Sequence, residues 1–302
     1  MKTFRSHGKL LLTSEYVVLD GAKALALPTK FGQSLSILPN NKGNISWQSY
    51  DENNELWFEA ILPLNLDLDA SETKDEVSTR LLEILTAAQR LNPEFLKGSN
   101  GLEIKTNQDF NRKWGLGTSS TLINNIATWA KIDAYQLLDL TFGGSGYDVA
   151  CAQHNHPITY QLVSENSPKV TEVVFNPPFK DQLYFIYLNK KQNSREGIKT
   201  YKALRQNTSN SLEDFNTITE SLIDCQHLSE FEALVTEHES LISELIEQPP
   251  IKFQLFEDFN GAIKSLGAWG GDFILATSIN NPRDYFNSKG YDTIISYSDM
   301  IK

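Results

Sequence analysis

The sequence predicts an α+β protein built in two lobes, and three observations lead there. The first sixty residues fall into short runs, β-branched or aromatic in part and separated by turn residues. Several later segments carry apolar residues at helical spacing. Strands and helices are mixed along the chain without strict βα alternation, which disfavours a doubly wound sheet. At 302 residues the chain has the length for two packed lobes.

Taken in order, strands are expected at Leu10 to Thr13, Tyr16 to Leu19, Phe31 to Ile37, Ile45 to Tyr50 and Leu56 to Ile61, broken by Asp20-Gly21, Pro39-Asn40 and Asn53-Asn54. Thr73-Lys74-Asp75-Glu76 resembles a capping box, and Val77, Leu81, Leu82, Ile84, Leu85, Ala88 and Leu91 then recur on one face until Asn92-Pro93 stops the helix. Leu102 to Thr106 is the next strand, followed by a glycine-rich turn that opens a helix with Leu122, Ile123, Ile126, Ala127 and Ala130 inward. Phe142 to Tyr147 is a second glycine-rich turn, with Asp148 at the start of the helix after it. Strands are expected at Ile158 to Val163, Val170 to Phe175 and Leu183 to Leu188. Asn176-Pro177-Pro178 marks the boundary, giving lobes 1–178 and 179–302. Helices at Leu212 to Gln226, Phe231 to Glu247 and Phe253 to Leu266 lead to Gly267-Ala268-Trp269-Gly270-Gly271-Asp272, a strand at Phe273 to Thr277, a short helix and a strand near Thr293 to Tyr297.

The bulk numbers exclude several classes. A net charge of −11 and no basic run longer than two residues argue against a nucleic-acid surface, which needs clustered cations. No segment approaches the length of an apolar membrane span, and the start carries no apolar leader. Two cysteines, Cys151 and Cys225, make no disulfide framework, and the cytoplasm is the expected compartment. Cys151, His154 and His156 form a C-x-x-H-x-H run, but no second ligand pair at structural-zinc spacing accompanies it.

The sharpest chemical signal is Gly115-Leu116-Gly117-Thr118-Ser119-Ser120 at a strand-to-helix transition. Glycines let backbone approach a phosphate, successive N–H groups form an anion cradle, and the helix N-terminus adds positive dipole. A plain loop with a Ser/Thr cap would look similar. The run is neither a P-loop nor a complete dinucleotide fingerprint, and H-R-D and D-F-G are missing.

Further segments add to that signal. Ser6-His7-Gly8-Lys9-Leu10-Leu11-Leu12-Thr13-Ser14-Glu15-Tyr16, followed by Asp20-Gly21-Ala22-Lys23-Ala24-Leu25-Ala26, resembles the first motif of the GHMP kinase family. The run from Gly115 to Ser120 resembles the second motif and the run from Gly267 to Asp272 the third. Gly144-Ser145-Gly146-Tyr147-Asp148-Val149-Ala150 looks like the segment bearing the family's catalytic aspartate. These segments follow the family's order from residue 6 to residue 277.

The resemblance implies two α+β lobes, the second ferredoxin-like, with ATP in a cleft and transfer of its γ-phosphoryl group to a small molecule. Asp148 then corresponds to the aspartate that takes or orients the acceptor proton, and Lys9 to the lysine paired with it or with the transferred phosphate. Residues Gly115, Leu116, Gly117, Thr118, Ser119, Ser120, Gly270 and Gly271 would hold ATP, with Mg²⁺ on the Thr118 hydroxyl. Ser145, Gly146, Lys191, Ser194, Arg195 and Ala268 would face the acceptor.

Departures from the pattern are His7 for proline, Ser14 for the glycine of G-E, Ser120 for alanine and Trp269 for a glycine. Some members carry a glutamate for Mg²⁺ before the catalytic segment, where only Asp139 is acidic here. Local wording leans to the isoprenoid branch, phosphomevalonate kinases first and mevalonate kinases next. A non-catalytic binder that kept the fold and a related ATP-driven diphosphomevalonate decarboxylase are the competing readings.

Overall fold

The computed structural model describes residues 1–67, 73, 75–164, 167–205 and 212–302. Two compact units emerge. The first contains Met1–Gly8, Phe31–Arg112 and Leu116–Gln153; the second contains Lys9–Lys30, Lys113–Gly115 and His154–Lys302.

In the first unit, strand β4 (Leu56–Pro63) pairs antiparallel with β3 (Asn44–Tyr50), β3 runs parallel to β5 (Leu102–Gln108), and β5 is antiparallel to the later half of β2 (Ala24–Pro39). Ile45, Trp47, Leu102, Ile104, Leu35 and Ile37 alternate with outward polar residues, so one face of each strand is buried. Helices α1 (Glu76–Leu91), α2 (Thr118–Ala130) and α3 (Ala134–Asp139) join that core through Leu81, Leu85, Ala88, Ile123, Ile126 and Leu137. Helix α4 (Tyr147–Gln153) packs on α2, and its Val149 enters the same core.

In the second unit the early half of β2 pairs antiparallel with β6 (Ile158–Ser164), which pairs with β7 (Ser167–Glu172). A four-stranded antiparallel sheet follows in the order β11-β8-β10-β9, from Ile294–Ser296, Leu183–Tyr187, Phe273–Thr277 and Ile263–Ser265. Helices α5 (Ser194–Leu204), α6 (Leu212–Asp224), α7 (Leu228–Ile246), α8 (Ile251–Leu255), α9 (Arg283–Ser288) and α10 (Tyr297–Met300) complete it. Phe256, Phe259, Ile274, Ile186 and Phe286 fill a core against this sheet. The mixture of two antiparallel-rich sheets with helices is the α+β class expected, with a ferredoxin-like second sheet.

Four local expectations need correction. Tyr16 to Leu19 is not a strand: Ser14 and Tyr16 take positive φ (63° and 66°), and a 3₁₀ turn runs over Val17–Asp20. Tertiary bonds hold that turn, since the Ser14 N–H donates to His238 Nε2 at 2.7 Å and its hydroxyl to the Lys23 carbonyl at 2.7 Å. The cap of α1 is Asp75, whose side chain accepts the Ser78 N–H at 2.8 Å; Lys74 of the expected box lies outside the described residues, and Val77 is exposed. No helix spans Phe253 to Leu266. Phe253 and Leu255 are exposed, α8 ends at Leu255, and Ile263–Ser265 pairs with β10. The strand expected at Val170 to Phe175 sits earlier, at Ser167–Glu172.

Candidate active site

On the first unit, the glycine turn delivers the chain into α2. Gly117 stands at the N-cap with φ 94° and ψ 44°, a left-handed conformation that L side chains resist. No side chain caps this end. The Ser120 and Thr121 hydroxyls turn inward and donate to the Gly117 carbonyl at 2.9 and 3.0 Å. Leu116 is fully buried and anchors the turn, while Thr118 is half-buried and Ser119 exposed. A thirteen-residue helix thus presents uncapped first-turn N–H groups with its positive dipole end, the arrangement that binds anions.

Asp148 lies in the first turn of α4, half-buried, with its own Oδ1 accepting the Val149 N–H at 3.0 Å. Gly146 is buried, and Ser145 is half-buried, in the turn just before it. Asp139 ends α3 and is exposed.

On the second unit, the half-buried Lys9 donates from Nζ to the Gly115 carbonyl at 2.9 Å. Gly115 has φ 67°, and a Cβ there would come within 2.4 Å of the Asp272 carboxyl carbon and 2.5 Å of its Oδ2. Glycine is therefore required both for backbone angle and for the approach of this carboxylate. Trp114 braces the turn, its ring meeting Phe273 edge-on at 5.7 Å.

Asp272 is fixed on both sides. Its N–H donates to the Lys190 carbonyl at 2.7 Å, its carbonyl accepts from Leu188 at 2.8 Å, and its Oδ1 accepts from Gln192 N at 3.1 Å. Burial pushes its carboxyl above the usual range, while the nearby Lys9 ammonium, the Gln192 N–H and the Lys191 ammonium pull it back. Sequence reading passed over Asp272 as a site residue. Its place directly after Gly270-Gly271 was the only signal for it.

The Trp269 indole does not intrude on the glycine loop. It is buried among Val17, Ala22, Tyr201 and Phe215, leaving Gly270 and Gly271 as the backbone of the turn. Ala268 is buried as well. Lys191, Ser194 and Arg195 are all exposed. Ser194 and Arg195 lie in the first turn of α5, where the Asn193 side chain accepts the Arg195 N–H at 3.1 Å.

Magnesium takes oxygen donors and keeps several waters, so a phosphate-bound ion needs only one or two protein ligands. On the first unit the Thr118 hydroxyl is a donor of that kind, and on the second unit the Asp272 carboxylate is another. Among the described residues no group of three or more His, Cys, Asp or Glu side chains is arranged to hold a metal. A single donor of this kind suits an ion carried in with phosphate. Cys151 and Cys225 are both buried, and neither is in a disulfide.

Solved structures with the same architecture identify the fold. Methanococcus jannaschii mevalonate kinase superposes with a TM-score of 0.72 at 14% identity, covering 97% of this chain and 96% of that one. Streptococcus pneumoniae phosphomevalonate kinase, in complex with phosphomevalonate and AMPPNP, gives 0.72 at 16% identity over 98% and 100%. Lactococcus lactis galactokinase, complexed with galactose, gives 0.69 at 14% over 98% and 92%. The chain has the GHMP-kinase fold. No family model and no curated protein matches the sequence. The GHMP-kinase fold thus persists here at an identity too low to fix a substrate. No described helix is long and apolar enough to cross a membrane.

Proposed function

We propose that the protein is an ATP-dependent small-molecule kinase that transfers the γ-phosphoryl group of ATP to an acceptor oxygen, with phosphomevalonate ahead of mevalonate as acceptor. The observation that carries this reading is the glycine turn at residues 115–117, which opens α2 with no side-chain cap and has Lys9 bonded to its Gly115 carbonyl. Such a turn binds phosphate through backbone N–H groups, so an acidic chain of net charge −11 can hold a nucleotide without a basic surface. The AMPPNP and phosphomevalonate bound to the pneumococcal enzyme agree with this choice of ligands.

Residues 1–178 form the nucleotide-binding lobe in this reading and 179–302 the second lobe. Backbone groups from Gly115 to Ser120, with Gly270 and Gly271, hold the phosphates. Asp148 orients the acceptor and takes its proton where it carries one. Lys9 offsets charge on the transferred group, and Mg²⁺, held by Thr118, supplies charge neutralisation. Ser145, Gly146, Lys191, Ser194, Arg195 and Ala268 line the acceptor side. The burial of the Trp269 indole removes the strongest reason to read the chain as a non-catalytic binder. Two buried cysteines outside any disulfide agree with a cytoplasmic setting.

The test is ADP release from the purified protein with mevalonate, phosphomevalonate, diphosphomevalonate, homoserine and simple sugars, with products identified by mass. Phosphorylated product from a mevalonate-pathway compound is expected. Turnover with a sugar or amino-acid alcohol alone would overturn the acceptor assignment. Loss of CO₂ from diphosphomevalonate would make the enzyme a decarboxylase, and nucleotide binding without turnover on any compound would leave a binder.

A further inference from the structure

We propose that Asp272 is the carboxylate ligand, direct or through one water, of the divalent cation that accompanies the triphosphate. The proposal rests on the nucleotide reading above and gives a role to a residue that ends the third motif. Asp139, the only acidic residue that the sequence offered for this role, is exposed at the end of the six-residue helix α3.

Asp272 has the opposite character. Its carboxylate is packed against the α-carbon of Gly115, the first glycine of the phosphate turn, so closely that no side chain fits there. Its backbone is clamped by Leu188 and Lys190, and Oδ1 is held by Gln192 N. Oδ2 accepts no hydrogen bond from the described residues and is turned to Gly115, 2.5 Å from where a Cβ on that glycine would stand.

Electrostatics decides what this oxygen is for. A largely buried carboxylate beside a phosphate turn repels a triphosphate, and burial weakens the water screening that would hide the repulsion. A site meant for bare phosphate would not keep a preorganised anion there. A divalent cation between the two anions reverses the sign, and Mg²⁺ prefers just one or two carboxylates together with phosphate oxygens and water. Lys9, whose ammonium also faces this carboxylate, is engaged with the Gly115 carbonyl.

The experiment measures nucleotide affinity of the full-length protein by calorimetry, with AMPPNP in Mg²⁺ and again in EDTA. Asp272→Asn keeps the size, the Oδ1 acceptor for Gln192 and tolerance of the positive φ of 54°, so the fold is retained. The gain in affinity on adding Mg²⁺ should fall by about 10- to 100-fold in this variant, while affinity in EDTA holds or rises. An unchanged gain would overturn the proposal. So would an equal rise of affinity under both conditions, which would make Asp272 a counter-ion only, or a fall of the gain in Asp139→Asn instead. Nucleotide binding by the wild type with the gain unaltered in Asp272→Asn sinks only this inference. No binding by the wild type in either condition sinks the kinase reading with it.

Discussion

The Tyr16 hydroxyl accepts the backbone N–H of Trp269 at 3.2 Å, joining the end of the first motif to the third glycine loop across 253 positions of sequence. The same ring stacks on Tyr201 of α5 at 5.6 Å, and Tyr201 donates to Asp20. Tyr16→Phe keeps the stack but leaves the Trp269 N–H without its acceptor, a loss of about 1–3 kcal/mol. Gly197→Ala would set a Cβ 2.7 Å from the Tyr16 oxygen and should also destabilise, although alanine is the better helix former. Chemical denaturation of both single variants and the double variant checks this. The double variant should lose less than the sum, because removing the hydroxyl relieves the clash.

A second relationship sets a pH dependence. Glu15, Glu239 and Lys264 are buried together, with Lys264 Nζ 2.5 Å from Glu15 Oε1 and 3.9 Å from Glu239 Oε2, and His238 Nε2 3.6 Å from Glu15 Oε2. One ammonium faces two carboxylates. Burial pushes both acids up, Glu15 to about 7, despite the pull of Lys264. Burial and Lys264 hold His238 well below its usual range, so it is the neutral acceptor of the Ser14 N–H.

The sign follows from linkage. The folded state keeps the Glu15 proton to about pH 7, whereas the unfolded chain loses it near 4.5. Stability from this group is therefore full below 4.5 and lost as pH rises through about 7. Neutral His238 acts the other way, its contribution being lost as pH falls below the ordinary histidine range. Glu15→Gln isolates the first effect: its stability relative to wild type should rise between about pH 5 and pH 8 in denaturant midpoints. Lys264→Met, which strands both carboxylates, should cost about 3–5 kcal/mol at about pH 8.

Asp148→Asn should lower turnover by about 10²–10⁴ with nucleotide affinity nearly unchanged. Steady-state kinetics and nucleotide titration of one preparation give both numbers. Wild-type turnover in this variant would remove Asp148 from the chemistry.

Arg195→Ala tests the acceptor. Arg195 is exposed in the first turn of α5, free to meet an anionic substrate. A phosphorylated acceptor needs more positive charge than a simple carboxylate does. The variant should therefore raise KM for phosphomevalonate far more than for mevalonate, and an equal effect on both would place the phosphate elsewhere.

Much of this site was legible because its signals are local. Gly115 and Gly117 are demanded by backbone angles, and an apolar face repeating after Thr118 announces the helix they open. Pro249-Pro250 marked the end of α7, and Asn92 the end of α1, for similarly local reasons. Helix α5 was missed because only Tyr201 is buried on it, so its apolar period is faint, and Gly197 interrupts it.

By itself, then, the sequence determined the α+β class, the order of the glycine turns and the position of Asp148 on a helix start, all consequences of neighbouring residues. The tertiary structure alone decided the fate of residues whose partners are distant. It sent the Trp269 indole into a core beside Val17 and Tyr201, buried Lys264 against Glu15, and set the Asp272 carboxylate on Gly115. It also ended the helix expected from Phe253 to Leu266 at Leu255 and made Ile263–Ser265 a strand, because that stretch pairs with β10. Periodicity reports which side of an element is apolar, whereas burial, pairing and charge balance depend on what the rest of the chain brings to that side.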